Sequence, residues 1–201
     1  RQGRNFRTVA ELFTKRNLWA LAAVNAYTRH SECDALHFAF SAILLNCSNL
    51  YLYRDNLKGG FKKGSYYVPQ MMQIINVWRA FHDKLSDLRN AAIDEFRFTD
   101  VLVSTQSATN LGEIRTDSVD YVFTDPPYGD KVQYGELNFI WEAWLDFETK
   151  WHSEEIIINE TRQRTAEDWT RLLTQAMYEA IRVLKPGRWL SLCYHDTSEG
   201  T

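Results

Sequence analysis

The sequence predicts an α/β fold, a parallel-type sheet flanked by helices, with a helical N-terminal half. Three observations predict it. Apolar residues recur at helical spacing through most of the chain up to about residue 95. Beyond that point short apolar runs alternate with helical patterns, as they do in a parallel sheet. Hydrophobic residues make up 45% and aromatics 14% of the 201 residues, ample material for a core and too much for a disordered or low-complexity chain. The expected organisation is a helical part over 1–95 and an α/β catalytic part over 96–201, within one domain.

Thr14 is placed to cap a helix from Lys15 to Thr28, with Leu18, Leu21, Ala22 and Tyr27 near one face. From Asp34 to Arg54 the chain is apolar on nearly every side, which predicts a buried helix. The stretch from Leu57 to Tyr67 holds three glycines and three lysines and reads as an exposed, mobile loop. Pro69 suits the first turn of a helix continuing through Met71, Ile74, Ile75, Trp78, Phe81, Leu85 and Leu88 to Ala92. Asp100–Val103 is a weak strand pattern and Asp120–Thr124 a strong one. Tyr134, Leu137, Ile140, Trp141, Trp144 and Leu145 share a helix face, and 146–164 is a charged excursion, patternless apart from Ile156-Ile157-Ile158. Thr165 and Asp168 predict a capping box, opening a helix that ends at Lys185-Pro-Gly187 before a strand over Arg188–Tyr194.

The formal charge of −3 gives no global basic field, although a local basic groove remains compatible with it. Three cysteines with no Cys-x-x-Cys spacing cannot form a disulfide framework, which points to a reducing cytoplasm. Cys33 and His37 lie four apart, but without a second pair no metal site is expected. The apolar run from His37 to Tyr53 is broken by Ser41, Asn46, Ser48 and Asn49 and is too short to cross a bilayer. Arg1, Arg4 and Arg7 lead into no apolar segment of the secretory kind.

One stretch carries chemistry. Asp120-Tyr-Val-Phe-Thr124 runs into Asp125-Pro126-Pro127-Tyr128-Gly129, a buried-type strand ending in a stiff polar loop. In open α/β sheets ligands sit outside the carboxyl ends of the strands, where this loop falls. The Asp125 carboxylate and the Pro126 carbonyl are two neighbouring acceptors, suited to an NH₂ group with two hydrogens. Successive prolines fix φ and keep those acceptors aimed. Tyr128 offers a flat face for an extruded base, worth about 1–3 kcal/mol. An amine on an aromatic base is a poor nucleophile, because its lone pair is delocalised into the ring. Holding both hydrogens favours a more tetrahedral nitrogen, whose lone pair an in-line methyl-sulfonium can meet. Within a duplex the base must first be flipped out.

At these residues the chain resembles the amino-group DNA methyltransferases, whose catalytic motif is Asp-Pro-Pro-Tyr. The run Tyr128-Gly-Asp-Lys-Val-Gln-Tyr134-Gly-Glu136-Leu137 and the Trp141-Glu-Ala-Trp144-Leu145 after it are similar to adenine-specific DNA methylases of large, often restriction-associated proteins. Phe13-Thr14-Lys-Arg16-Asn17-Leu18, Gly64-Ser-Tyr-Tyr67-Val-Pro69 and Arg182-Val-Leu-Lys-Pro-Gly187 also resemble segments of that group. Together these blocks span most of the chain. The resemblance implies a Rossmann-like methyltransferase fold, S-adenosylmethionine as cofactor and DNA as partner, with adenine N6 favoured over cytosine N4. It makes Asp125, Pro126, Pro127 and Tyr128 catalytic, and puts Phe13, Thr14, Asn17 and Asp125 near the cofactor. A helix cap with exposed charge is the plainer account of the first three. Related fold members with Asn-Pro-Pro-Tyr act on RNA bases, and the leading Asp125 argues against that substrate.

Two features depart from the family. No Gly-x-Gly pair occurs among the nine glycines, and Ser104–Ala108 stands where an acidic residue often faces the adenosyl ring. The expectation is therefore a piece of a larger member, completed by other parts of a longer polypeptide or by restriction-modification partners. A non-catalytic module that has lost the donor site is the alternative. Lys58, Lys62 and Lys63, interleaved with Phe61, Tyr66 and Tyr67, are candidate DNA contacts, or else a solvated loop. His195-Asp196 either edges the cleft or ends a surface strand, and Glu136 either orders the loop or binds water.

Overall fold

A computed structural model describes residues 6–55, 59–62, 64–91 and 101–194. Two compact units are present: residues 1–99 with 135–149, and residues 100–134 with 150–201. The return of 135–149 to the first unit was not expected, and its cause is the apolar face carrying Ile140, Trp141 and Trp144.

The first unit is helical. Helix α1 (Lys15–Arg29) opens where expected, the Thr14 hydroxyl accepting the Asn17 N–H at 3.1 Å. Helix α2 (Asp34–Ile43) is shorter than the apolar run predicted. Ser48 donates its hydroxyl to the Leu45 carbonyl at 2.7 Å and accepts the Leu50 N–H at 3.2 Å, a local pattern that competes with further helix. Leu44, Cys47 and Leu50 stay buried in the turns that follow. Helix α3 (Val77–Ala91) starts eight residues after Pro69, which corrects the expected start. The intervening chain is extended because Gln73 and Tyr53 exchange backbone bonds with Tyr51 and Met71 (2.9 and 3.1 Å). Asn76 accepts the Arg79 N–H at 3.0 Å and so caps α3. Gly59 belongs to the same tight region, where a Cβ would lie 2.1 Å from the Tyr51 ring. Lys58 and Lys63 lie outside the described residues.

Helix α4 (Tyr134–Leu145) completes this unit. Phe13 and Phe40 meet the Trp144 ring edge-on at 5.7 and 5.8 Å, a favoured aromatic geometry. The Trp141 indole donates to the Ser41 carbonyl at 3.0 Å, so the buried N–H is satisfied. Leu21, Phe40, Ile43, Leu44 and Ile140 form the centre of the core. Among the described residues no helix is long and apolar enough to cross a membrane.

The second unit is mixed. Strand β1 (Val119–Thr124) and strand β2 (Leu184–Leu192) pair in parallel, Tyr121 opposite Trp189 and Thr124 opposite Leu192. The register slips between Val119 and Tyr121, and Gly187 with φ of 75° lies in the stretch of β2 where the slip occurs. Lys185-Pro-Gly187 is therefore inside the strand rather than ahead of it. Residues 101–103 are exposed and outside any strand, against the weak expectation there, and Asp100 is outside the described residues. Helix α5 (Ala166–Val183) carries the expected capping box: Thr165 and Asp168 exchange bonds of 3.2 Å in both directions. Arg182 near its end binds the Leu111 and Ile114 carbonyls at 2.9 and 3.0 Å and pairs with Glu179 at 2.7 Å. That pairing holds the Glu179 carboxyl down at about 2.

Candidate active site

The last ladder acceptor of strand β1 is the Thr124 carbonyl, which accepts the Cys193 N–H at 2.9 Å. The tetrapeptide begins on the next residue, at the carboxyl end of a parallel strand. Asp125 is exposed, Pro126 is buried, and Pro127 and Tyr128 are half-buried. The Tyr128 hydroxyl donates to Asp125 Oδ1. Its ring stands edge-on to Tyr194 at 5.7 Å and 88°. The bond to the Asp125 carboxylate, reinforced by the neighbouring negative charge, pushes the Tyr128 phenol up to about 12.

Beyond Tyr128 the backbone turns at Gly129, whose φ of 59° favours glycine. Carbonyls along the loop are taken in order. Pro127 accepts the Trp169 indole N–H at 3.2 Å, Tyr128 the Lys131 N–H at 3.1 Å, and Gly129 the Ile158 N–H at 3.1 Å. Asp130 accepts from Gln133 Nε2 at 3.2 Å. Among the described residues nothing donates to the Pro126 carbonyl. The loop thus carries two acceptors on adjacent residues: one exposed carboxylate and one carbonyl to which nothing among the described residues donates.

The excursion 146–164, patternless in sequence, is what braces this loop. Gln133 Nε2 also reaches the Ile158 carbonyl at 3.1 Å, and Asn159 Nδ2 donates to Gln133 Oε1 at 2.7 Å. Asn159 accepts the Arg162 N–H at 3.0 Å, while Arg162 pairs with the nearly buried Glu155 at 2.6 Å. Ile157 is fully buried beside them in sequence. Gln133, Ile158, Asn159 and Trp169 were not singled out from the sequence. The one available signal was the lone apolar run Ile156-Ile157-Ile158, an anchor inside a charged segment.

Of the residues expected near a cofactor, Asp125 lies in this loop, and Phe13, Thr14 and Asn17 behave differently. Phe13 is buried against Trp144, and Thr14 caps α1. Asn17 is buried, its amide donating to the Cys47 and Ile75 carbonyls at 2.9 and 3.0 Å. All three are committed to the packing of the first unit, and with no Gly-x-Gly turn they do not fit a nucleoside donor. Comparison with family models, with curated proteins and with solved structures finds no match to this chain.

Of the candidate DNA contacts, Lys62 lies 5.7 Å above the Tyr67 ring as a cation–π pair. Tyr66 donates its hydroxyl to the Leu137 carbonyl at 3.0 Å, and burial pushes that phenol up to about 12. Its tip is thus held inside the first unit. Glu136 lines a cavity of about 470 Å³ with Arg7, Leu12, Tyr66 and Phe139. His37 shares a hydrogen bond with the Ser31 carbonyl at 3.1 Å, and His195-Asp196 lies outside the described residues. Asn17→Ala leaves the buried Cys47 carbonyl and the half-buried Ile75 carbonyl without their donor and should cost roughly 1–3 kcal/mol, read as a lowered urea midpoint at unchanged slope. A midpoint within experimental error of the parent contradicts it.

Proposed function

We propose that this chain supplies the amine-orienting half of a DNA amino-methyltransferase that uses S-adenosylmethionine, acting on adenine N6 in preference to cytosine N4. The observation that carries the reading is the pair of acceptors after β1. The Asp125 carboxylate is exposed, the Pro126 carbonyl accepts no hydrogen bond among the described residues, and Tyr128 stands next to both. A base amine entering there gives one hydrogen to each acceptor and displaces the Tyr128 hydroxyl from Asp125. Tyr128 then presents its ring to the base. Asp125 holds the amine hydrogen rather than removing it first, and it is available to take the proton as the nitrogen becomes cationic.

The donor's contribution is a methyl group on a positively charged sulfur. No residue of this chain is assigned to holding it, because Phe13, Thr14 and Asn17 are used in packing and Asp125 faces the amine in this reading. A Rossmann-like sheet is part of the proposal. Its support is the parallel pairing of β1 with β2 and the uncovered aromatic face of Tyr121, Phe123 and Trp189, which are 53%, 65% and 79% exposed. Parallel sheets are ordinarily covered on both faces, so that face suits a larger sheet with a further layer.

A second reading keeps the base pocket without the transfer. The internal commitment of Phe13, Thr14 and Asn17 favours it. One assay, run with the product of the full reading frame, separates the two: unmethylated plasmid DNA with S-adenosylmethionine carrying a labelled methyl group, followed by nucleoside mass spectrometry. Labelled N6-methyladenine is the expected product. DNA binding without any labelled base supports the non-catalytic module and sinks the enzyme.

A further inference from the structure

Within Asp125-Pro126-Pro127-Tyr128 most backbone freedom is already removed. Proline locks φ at 126 and 127, and a following proline restricts ψ at 125 and 126 to extended values. Of the torsions left between the two acceptors and the aromatic ring, ψ of Pro127 is the one that also turns the Pro127 carbonyl. Rotation there turns the Pro127 carbonyl and swings Tyr128 away from Asp125. In the structure that carbonyl is held by the Trp169 indole N–H at 3.2 Å.

Trp169 is itself well anchored. It follows directly on the capping box of Thr165 and Asp168, and its own backbone N–H bonds the Thr165 carbonyl at 3.1 Å. Two residues further along the loop, the Ile158 N–H takes the Gly129 carbonyl. Donors from α5 and from the excursion before it therefore occupy the carbonyls on the far side of the tetrapeptide. Among the described residues nothing donates to the Pro126 carbonyl.

We propose that Trp169 is a positioning residue for amine transfer: its indole N–H holds the Pro127–Tyr128 peptide in the one orientation that keeps Tyr128 beside Asp125. This inference rests on the amine-transfer reading above. Its indole need not touch substrate, so its removal acts on the chemical step rather than on DNA affinity.

The test measures labelled methyl transfer by the protein carrying Trp169→Phe, and by protein with benzothienylalanine at 169, which replaces only the N–H by sulfur. Both should lower kcat roughly fivefold, the loss that one neutral hydrogen bond commands, with KM for DNA changed less than about twofold. Thermal melting is followed in parallel. A benzothienylalanine protein with parental kcat overturns the inference, as does a fall confined to melting temperature with activity per folded molecule unchanged. If Trp169→Phe fails to fold, the isosteric replacement alone decides. Asp125→Ala serves as the control on the underlying reading. Transfer that survives Asp125→Ala, or parental protein that transfers nothing, removes that reading and this one together. Transfer lost in Asp125→Ala but intact in both Trp169 proteins removes only the role of Trp169.

Discussion

Asp125→Ala should abolish methyl transfer, by on the order of 10²–10³-fold or more, while leaving the protein folded. The size follows from what the carboxylate does. It is one of two acceptors for the amine, and it meets the positive charge that grows on nitrogen as the methyl group arrives. Removing one preorganised group of this kind from a transition state commonly costs about that much. The small effect on stability follows from its position: Asp125 is exposed, and its described side-chain partner is the Tyr128 hydroxyl, which water can replace. Asp125→Asn sharpens the result. The amide keeps one acceptor oxygen but loses the charge, so it should fall between parent and alanine. The measurements are labelled transfer at saturating DNA and a thermal melt. Activity within tenfold of the parent in Asp125→Ala contradicts the assignment, and so does a loss of activity fully explained by a lowered melting temperature.

The motif was legible because its chemistry is local. Two prolines, a carboxylate and a tyrosine after an apolar strand define a stiff acceptor loop without reference to anything distant, and the structure places that loop at the end of β1. Elements with a local start signal were legible for the same reason. Thr14 and Thr165 open their helices on the residues expected, since a cap is satisfied within three residues. What was not legible depends on partners far along the chain. Asn17 reads as a site residue until Cys47 and Ile75 arrive as its partners, 30 and 58 residues away. Helical spacing from Pro69 onward says helix, but backbone bonds to 51–53 draw the segment out until Asn76. The brace around the loop joins Gln133 to Asn159 across 26 residues and Pro127 to Trp169 across 42. Neither end looks unusual alone. The excursion carrying Asn159 has no period because its job is to supply single donors, not a packed face.

Tyr128 separates two contributions that the motif combines. The ring offers a stacking face, and the hydroxyl donates to Asp125. Tyr128→Ala removes both and should weaken transfer to duplex DNA by roughly 5- to 150-fold, the equivalent of about 1–3 kcal/mol of base stacking. The loss should be greatest on duplex substrates, where stacking offsets the cost of unpairing, and smaller on single strands whose bases are already free. Tyr128→Phe keeps the face and should retain activity within a few-fold of the parent. In the resting protein the phenol occupies the very oxygen that the amine must reach, so its removal also relieves the amine of displacing it. The pH dependence follows with its sign. The phenol's value is raised from 10.0 to about 12 by its bond to Asp125, so that bond is fully present below pH 10 and lost only as pH climbs through about 12. Transfer by the parent should therefore show no step from Tyr128 between pH 7 and 10, and the ratio of parent to Phe rates should stay flat across that range. If Phe instead fails as badly as Ala, the hydroxyl is the working part, and Tyr128 acts on Asp125 rather than on the base.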